Sequence, residues 1–310
     1  MGVRFGILGA GRIGLVHARA ISSVAGADLV AVAEPFEEAA RAVQAQFGCD
    51  IRTIDEIAAS DDIDAVVICT PTDTHADLIE QFARARKAVF CEKPVDLSLA
   101  RVKTCLKVVA EEEAVLMVGF QRRFDPDFMA LKAVIDDGRI GNVEMVTLTS
   151  RDPGAPPAEY IKRSGGIFRD MTIHDFDVAR WLLGEEVETV QAAASVLTDP
   201  EIAKLGDYDS VNVILTTASG RQCTITNTRR ATYGYDQRIE VHGSKGSVAA
   251  ENHREANIQV ANGQGYTRPP LLNFFMQRYA RAYANEIAAF VAAVAEGAET
   301  ATTGQDGLMA

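Results

Sequence analysis

A strand-sized apolar run, Val3–Leu8, leads at once into Gly9-Ala10-Gly11-Arg12-Ile13-Gly14 and then into a helical pattern over Ile13–Val24. Few short stretches restrict a fold as much. Three glycines at this spacing turn the chain off a strand, bring its backbone close to a pyrophosphate and let the helix pack tightly. The phosphate then meets the unbonded N–H groups at the start of the helix. The spacing alone is weak, but here Glu34 closes the second strand, 20 residues past Gly14. An acid there binds ribose hydroxyls and repels a 2′-phosphate. Gly9, Gly11, Arg12, Ile13, Gly14 and Glu34 are therefore expected to bind a dinucleotide, NAD in preference to NADP. A flavin shares the fingerprint.

The pattern repeats beyond the first unit of strand and helix. Apolar strands are expected at Val3–Leu8, Leu29–Ala33, Ala65–Cys69, Ala88–Cys91 and Val115–Val118, with helices at Pro35–Phe47, Ala76–Arg84 and Ser98–Glu112 between them. Short apolar strands alternating with helices predict a parallel sheet covered on both faces. After Gly119 the texture changes. A helix over Pro126–Asp136 leads to a strand at Val143–Ser150 and a Pro/Gly-rich loop over Asp152–Pro157. A helix from near Thr172 to Gly184 precedes strands at Glu188–Val196, Ser210–Thr217, Gln222–Thr228, Arg238–His242 and Ser247–Ala250. Several alternate in polarity, as a largely antiparallel sheet with one open face would. Leu272–Glu296 reads as one long amphipathic helix. The expected fold is α/β: a doubly wound Rossmann domain over 1–120 and an α/β domain with an open sheet over 121–310. The last helices are free to return to the first domain.

Bulk properties narrow the partners. The chain has 310 residues, enough for two cores, and a net charge of −12. That charge argues against nucleic acid or an anionic membrane as partner. No apolar run is long enough for a membrane span, and the amino end enters a strand without signal-peptide architecture. Cys49, Cys69, Cys91, Cys105 and Cys223 show no C-x-x-C spacing, so structural thiols in a reducing cytoplasm are expected and no metal site.

Three further patterns suggest chemistry. Thr70-Pro71-Thr72-Asp73-Thr74-His75 follows a strand at the end where parallel sheets bind ligands, so Thr70, Pro71, Thr72 and His75 are expected to border the cofactor. A proline turn capping the next helix fits equally well. Glu92-Lys93-Pro94 follows the next strand, placing Glu92 and Lys93 in the same crevice. Asp170 and His174 lie four apart where a helix begins, so a regular helix would put them on one face. Oxidising a secondary alcohol needs a base for its proton, a task that suits an imidazole, and a group that steadies the oxygen. His174 is the candidate base, Asp170 its partner and Lys93 the stabilising group. His17 ranks lower, as a packing or capping residue.

Together these motifs identify a resemblance. Gly9–Gly14, the T-P-T-x-x-H of Thr70–His75, E-K-P at Glu92–Pro94 and the G-G-I-F-R-D-M-T-I-H-D-F-D of Gly165–Asp177 resemble the glucose–fructose oxidoreductase/inositol dehydrogenase family. With Gly119–Asp125 and Tyr233–Arg238, the spelling is most similar to its bacterial inositol 2-dehydrogenase branch. The resemblance covers nearly the whole chain. It implies that Lys93, Asp170 and His174 form the catalytic set, with a cis peptide before Pro94. It also implies substrate contacts from Arg123, Asp152 and one of Tyr233 or Tyr235, and a homo-oligomer (dimer or tetramer) joined through the open sheet. The implied substrate is a small polyol: myo-inositol, another inositol isomer or a pyranose sugar. A catalytically silent sensor and an NAD-dependent glycosidase are the alternatives of other classes. Two departures stand out: Glu34 replaces a common aspartate, and the chain stops at Ala310, where a further helix is implied. The sequence is thus expected to lack the end of a longer chain.

Overall fold

In the computed structural model, residues 2–310 are described. They divide into two units, one running to Phe124 and including Ala280–Ala310, the other spanning Asp125–Tyr279. The first opens with β1 (Val3–Leu8), α1 (Arg12–Ser23), β2 (Ala27–Ala33), α2 (Glu37–Phe47), β3 (Asp50–Ile51) and α3 (Ile54–Ala59). It continues through β4 (Ala65–Ile68), α4 (His75–Arg84), β5 (Ala88–Glu92), α5 (Leu99–Glu111) and β6 (Leu116–Gly119). The sheet order is β3-β2-β1-β4-β5-β6 with every pairing parallel, the expected doubly wound sheet. Burial explains the unbroken apolar spelling: every residue of β4 and of β6 is buried. The order reverses between β1 and β4, and ligands of such sheets bind at that point, beyond the strands' carboxyl ends. β3 and α3 are additional to the expected elements. Their signal was present, since Thr53 and Glu56 form a reciprocal capping box at the start of α3.

The second unit holds α6 (Pro126–Asp136), β7 (Val143–Arg151), α7 (Ala158–Ser164), a π turn over Phe168–Thr172 and α8 (Ile173–Leu183). Then come β8 (Val187–Ser195), α9 (Pro200–Lys204), β9 (Ser210–Thr217), β10 (Gln222–Thr228), β11 (Asp236–Gly243) and β12 (Gly246–Ala250). A small hairpin of β13 (Val260–Asn262) and β14 (Gly265–Thr267) precedes the short α10 (Phe275–Arg278). The main sheet runs β12-β11-β7-β10-β9-β8, antiparallel except where β7 meets β10. Along β9, Val211, Val213 and Leu215 are buried while Asn212 and Ile214 are exposed. The buried face lies under α8, which packs on β7 and β10, and the other face is open.

The expected single helix over Leu272–Glu296 is two elements. It breaks at Tyr279, after which α11 (Ala280–Glu296) begins. Arg278 and Tyr279 are buried in the second unit, where Arg278 pairs with Asp125 and the Tyr279 ring meets Phe128 and Tyr235. From Ala280 onward the chain belongs to the first unit, with Phe290 of α11 against Phe5 and Phe90. A hydrophobic period records that a helix is amphipathic but not which core it serves. The chain ends in α12 (Gly304–Met309), started by a capping box of Thr303 and Asp306.

Candidate functional site

The three glycines of the first loop have different duties. Gly9 has φ of 95°, donates its N–H to Ala33 O at 2.8 Å, and has no room for a side chain: a Cβ would lie 2.8 Å from Cys69 O. At Gly14 a Cβ would come within 2.0 Å of Gly9 O, so glycine is needed for α1 to approach β1. Gly11 is the reverse case. Its φ is an ordinary −68° and a Cβ would meet nothing within 4 Å. It also starts α1 without a side-chain cap. Open space in front of an uncapped helix start is the cradle a pyrophosphate needs. Arg12 is exposed and Ile13 half-buried beside it. Glu34, one residue beyond β2, accepts the Ala10 N–H at 2.6 Å and the Phe36 N–H at 3.0 Å. Its carboxylate thus lies against the loop, where a dinucleotide's ribose would be held. The residues present fit NAD.

Beyond β4 and β5, the next two motifs are joined. His75 is buried, and its ring nitrogens lie 2.8 Å from Thr70 O and 2.8 Å from Pro94 O. It braces one loop on the other. Thr70 and Thr74 bring their hydroxyls within 2.6 Å, and Thr74 donates to Pro71 O at 2.8 Å. Thr72 opens a single 3-10 turn, and no side chain caps α4. Lys93 is half-buried, and its peptide to Pro94 is cis, as the resemblance implied. Glu92 is buried rather than a surface charge, and its Oε1 lies 2.7 Å from His17 Nε2. His17 is fully buried between Phe90 and Tyr283. His17 is thus a packing residue, as expected, and Gly14, His17 and Ile21 follow the helical spacing of a buried face.

Arg123, expected near substrate, has its guanidinium on the end of the chain. It lies 2.9 Å from Asp306 Oδ1 and donates to Ala301 O at 3.3 Å. Burial raises the Asp306 carboxyl, but the Thr303 N–H and Arg123 outweigh it, leaving the group below its ordinary value.

In the second unit, Asp170 falls in the π turn rather than in regular helix, so the four-residue spacing to His174 at the start of α8 crosses a change of helical type. One Asp170 oxygen accepts the Tyr160 hydroxyl at 2.7 Å, and the other lies 3.5 Å from Arg229 Nη2. Both Asp170 and His174 are half-buried, with His174 Nδ1 turned inside. Asp152 lies just past β7, its backbone tied to Thr228 and Ala231. The two tyrosines part company. Tyr233 is exposed, donates to Asp236 at 2.7 Å and accepts from Arg151 at 3.1 Å. Tyr235 is buried between Phe274 and Tyr279 as part of an aromatic core. Burial and the Asp236 carboxylate raise the Tyr233 phenol. Arg229 and Asn227, buried behind this turn, went unnoticed in the sequence because nothing local distinguishes them.

Fold and loop together define a protein built to bind a dinucleotide. Residues 3–120 match the model of an oxidoreductase family with an NAD-binding Rossmann fold, and residues 128–249 match the GFO/IDH/MocA C-terminal domain. The chain belongs to this family. It is 69% identical over 310 residues to the inositol 2-dehydrogenase of Rhizobium meliloti strain 1021, covering 100% of this chain and 94% of the relative. It is 44% identical to the myo-inositol 2-dehydrogenase of Thermotoga maritima, covering 99% and 93% of the two chains. The crystal structure of scyllo-inositol dehydrogenase from Lactobacillus casei with bound NAD(H) and scyllo-inositol superposes with a TM-score of 0.92 at 30% identity, covering 100% and 94%.

Proposed function

We propose that this chain is an NAD-dependent inositol 2-dehydrogenase that oxidises myo-inositol to its 2-keto product. The observation that carries the reading is the joint presence of an open, correctly spaced nucleotide loop and the Lys93, Asp170 and His174 motifs in a chain 69% identical to an inositol 2-dehydrogenase along its whole length. NAD, when bound, supplies the hydride acceptor. The protein's own residues do the rest. Gly11 and the start of α1 hold the pyrophosphate, and Glu34 holds the ribose hydroxyls. His174 takes the alcohol proton at Nε2, its Nδ1 being buried. Asp170 orients that imidazole, and Lys93 steadies the oxygen as its charge builds. The carbon loses one hydride and its hydroxyl one proton, which leaves a ketone. Joint assignment of Lys93 with the Asp170–His174 pair rests on the family motifs.

Asp152 and Tyr233 are the favoured substrate contacts. Tyr233 is the exposed member of its pair, whereas Tyr235 is walled in by rings. Arg123 joins them only through the motif it shares with the family. A second reading changes the isomer to scyllo-inositol, the ligand of the Lactobacillus casei relative. We place the enzyme in the cytoplasm, as a homotetramer joined through the open sheet face. Retention of all three catalytic candidates favours an enzyme over a silent sensor. Reduced-nicotinamide absorbance with NAD or NADP, against myo-, scyllo- and chiro-inositol, glucose and xylose, tests the proposal. Reduction of NAD with myo-inositol supports it, and no turnover with any inositol overturns it.

A further inference from the structure

The turn that carries Asp170 is gripped from the sheet by one strand end. Asn227 and Arg229 lie two residues apart where β10 finishes, so an extended chain sends both side chains to the same face. Both are buried, Arg229 at 1% exposure. The Asn227 amide works in two directions. It accepts the Thr172 hydroxyl at 2.7 Å and donates to Asp175 Oδ2 at 2.9 Å. Ser150, opposite Asn227 on β7, donates to the other Asp175 oxygen at 2.6 Å. Thr172 and Asp175 stand on either side of Ile173 and His174, so the sheet holds the chain at both flanks of the candidate base.

Arg229 serves the other candidate. Its Nη2 lies 3.5 Å from Asp170 Oδ2 and 3.5 Å from Asp207 Oδ2. Asp207 in turn accepts the Ile167 N–H at 2.8 Å, just before the π turn begins. Asp170 is therefore held between a buried guanidinium and the Tyr160 hydroxyl. A buried ion pair is weak evidence of added stability, whereas its contacts here hold Asp170 in one place. π turns within helices also recur at functional sites.

We propose that Arg229 is a positioning residue for the dehydrogenase reaction: with Asp207 it fixes the carboxylate of Asp170, while Asn227 fixes His174 through Thr172 and Asp175. The inference rests on reading Asp170 and His174 as the catalytic pair, and the test separates the two claims. Steady-state kinetics with NAD and myo-inositol would compare wild type, Asp170→Asn, Arg229→Met, Arg229→Lys and the doubles with Asp170→Asn. Arg229→Met is expected to lower kcat about 100-fold with the KM for NAD within about twofold, a loss typical of misaligned acid–base groups. Arg229→Lys, which keeps a positive charge near both carboxylates, is expected to recover most of that loss.

The decisive result is non-additivity. If Arg229 acts through Asp170, each double variant turns over no more slowly than Asp170→Asn alone. Should Arg229→Met fail to fold, the cycle with Arg229→Gln, which keeps a hydrogen-bond donor beside both carboxylates but not the charge, carries the same comparison. Wild-type turnover in both Arg229 variants beside a slow Asp170→Asn would overturn the positioning role alone, as would losses that multiply. Wild-type turnover in Asp170→Asn would instead remove the catalytic reading on which it stands.

Discussion

A single methyl group separates two duties within the nucleotide loop. At Gly14 an added Cβ would be 2.0 Å from a backbone oxygen, whereas at Gly11 it would enter open space. Gly14→Ala is therefore expected to lower the melting temperature of the free protein. Gly11→Ala should leave that temperature unchanged and weaken NAD binding at least about tenfold, because the methyl occupies the phosphate's place. Calorimetric unfolding and NAD titration together check both, and equal behaviour of the two variants would refute the cradle. For the candidate base, His174→Ala is expected to lower turnover at neutral pH by about 100-fold or more with NAD affinity nearly intact. Wild-type turnover would take His174 out of the mechanism. The glycines were legible in the sequence because their constraint is local. The partner of Glu92 was not, since His17 lies 75 positions away along the chain.

Elements are fixed by short-range rules until a buried polar group intervenes. The link between β8 and β9 is tied by Asp209, whose carboxylate accepts the N–H groups of Leu197 at 2.8 Å, Thr198 at 2.8 Å and Asp199 at 3.0 Å. Burial raises this carboxyl, but the three backbone donors outweigh it, so its folded value lies below the ordinary one. Stability from such a group is present above the unfolded pKa and is lost as pH falls through the lower folded value. Asp209→Ala is thus expected to cost about 2 kcal/mol at pH 7, the worth of hydrogen bonds to a charge. The gap from wild type should narrow below about pH 4, where the unfolded carboxylate takes up its proton while the folded one still holds its charge. Denaturant unfolding at pH 7 and pH 3 measures it, and a gap that stays constant would assign the loss to packing instead. Strand periods and glycine stops made most elements readable. The π turn was not, because an extra residue in a helical turn leaves no compositional mark and is held here by Asn227, Arg229 and Asp207.

For the molecule as a whole, the open face of the second sheet is where the proposed homo-oligomer would join. Met145, Thr147, Asn212, Ile214, Thr224 and Glu240 are exposed on it. Light scattering is expected to give a tetramer mass, and Ile214→Glu, which puts a charge among these residues, should shift it toward smaller species. An unchanged mass would move the contact to another surface. The sequence by itself determined the doubly wound sheet, the nucleotide loop and the alternating second sheet, because glycine sterics and hydrophobic periods act between near neighbours. Only the tertiary structure decided that Tyr235 is walled in while Tyr233 is exposed, that Glu92 meets His17, and that the helix expected over Leu272–Glu296 breaks at Tyr279. It also decided that Arg229 stands behind Asp170, 59 positions earlier in the chain. Each of these depends on which distant side chain fills the space beside a residue, and that is settled only when the core closes.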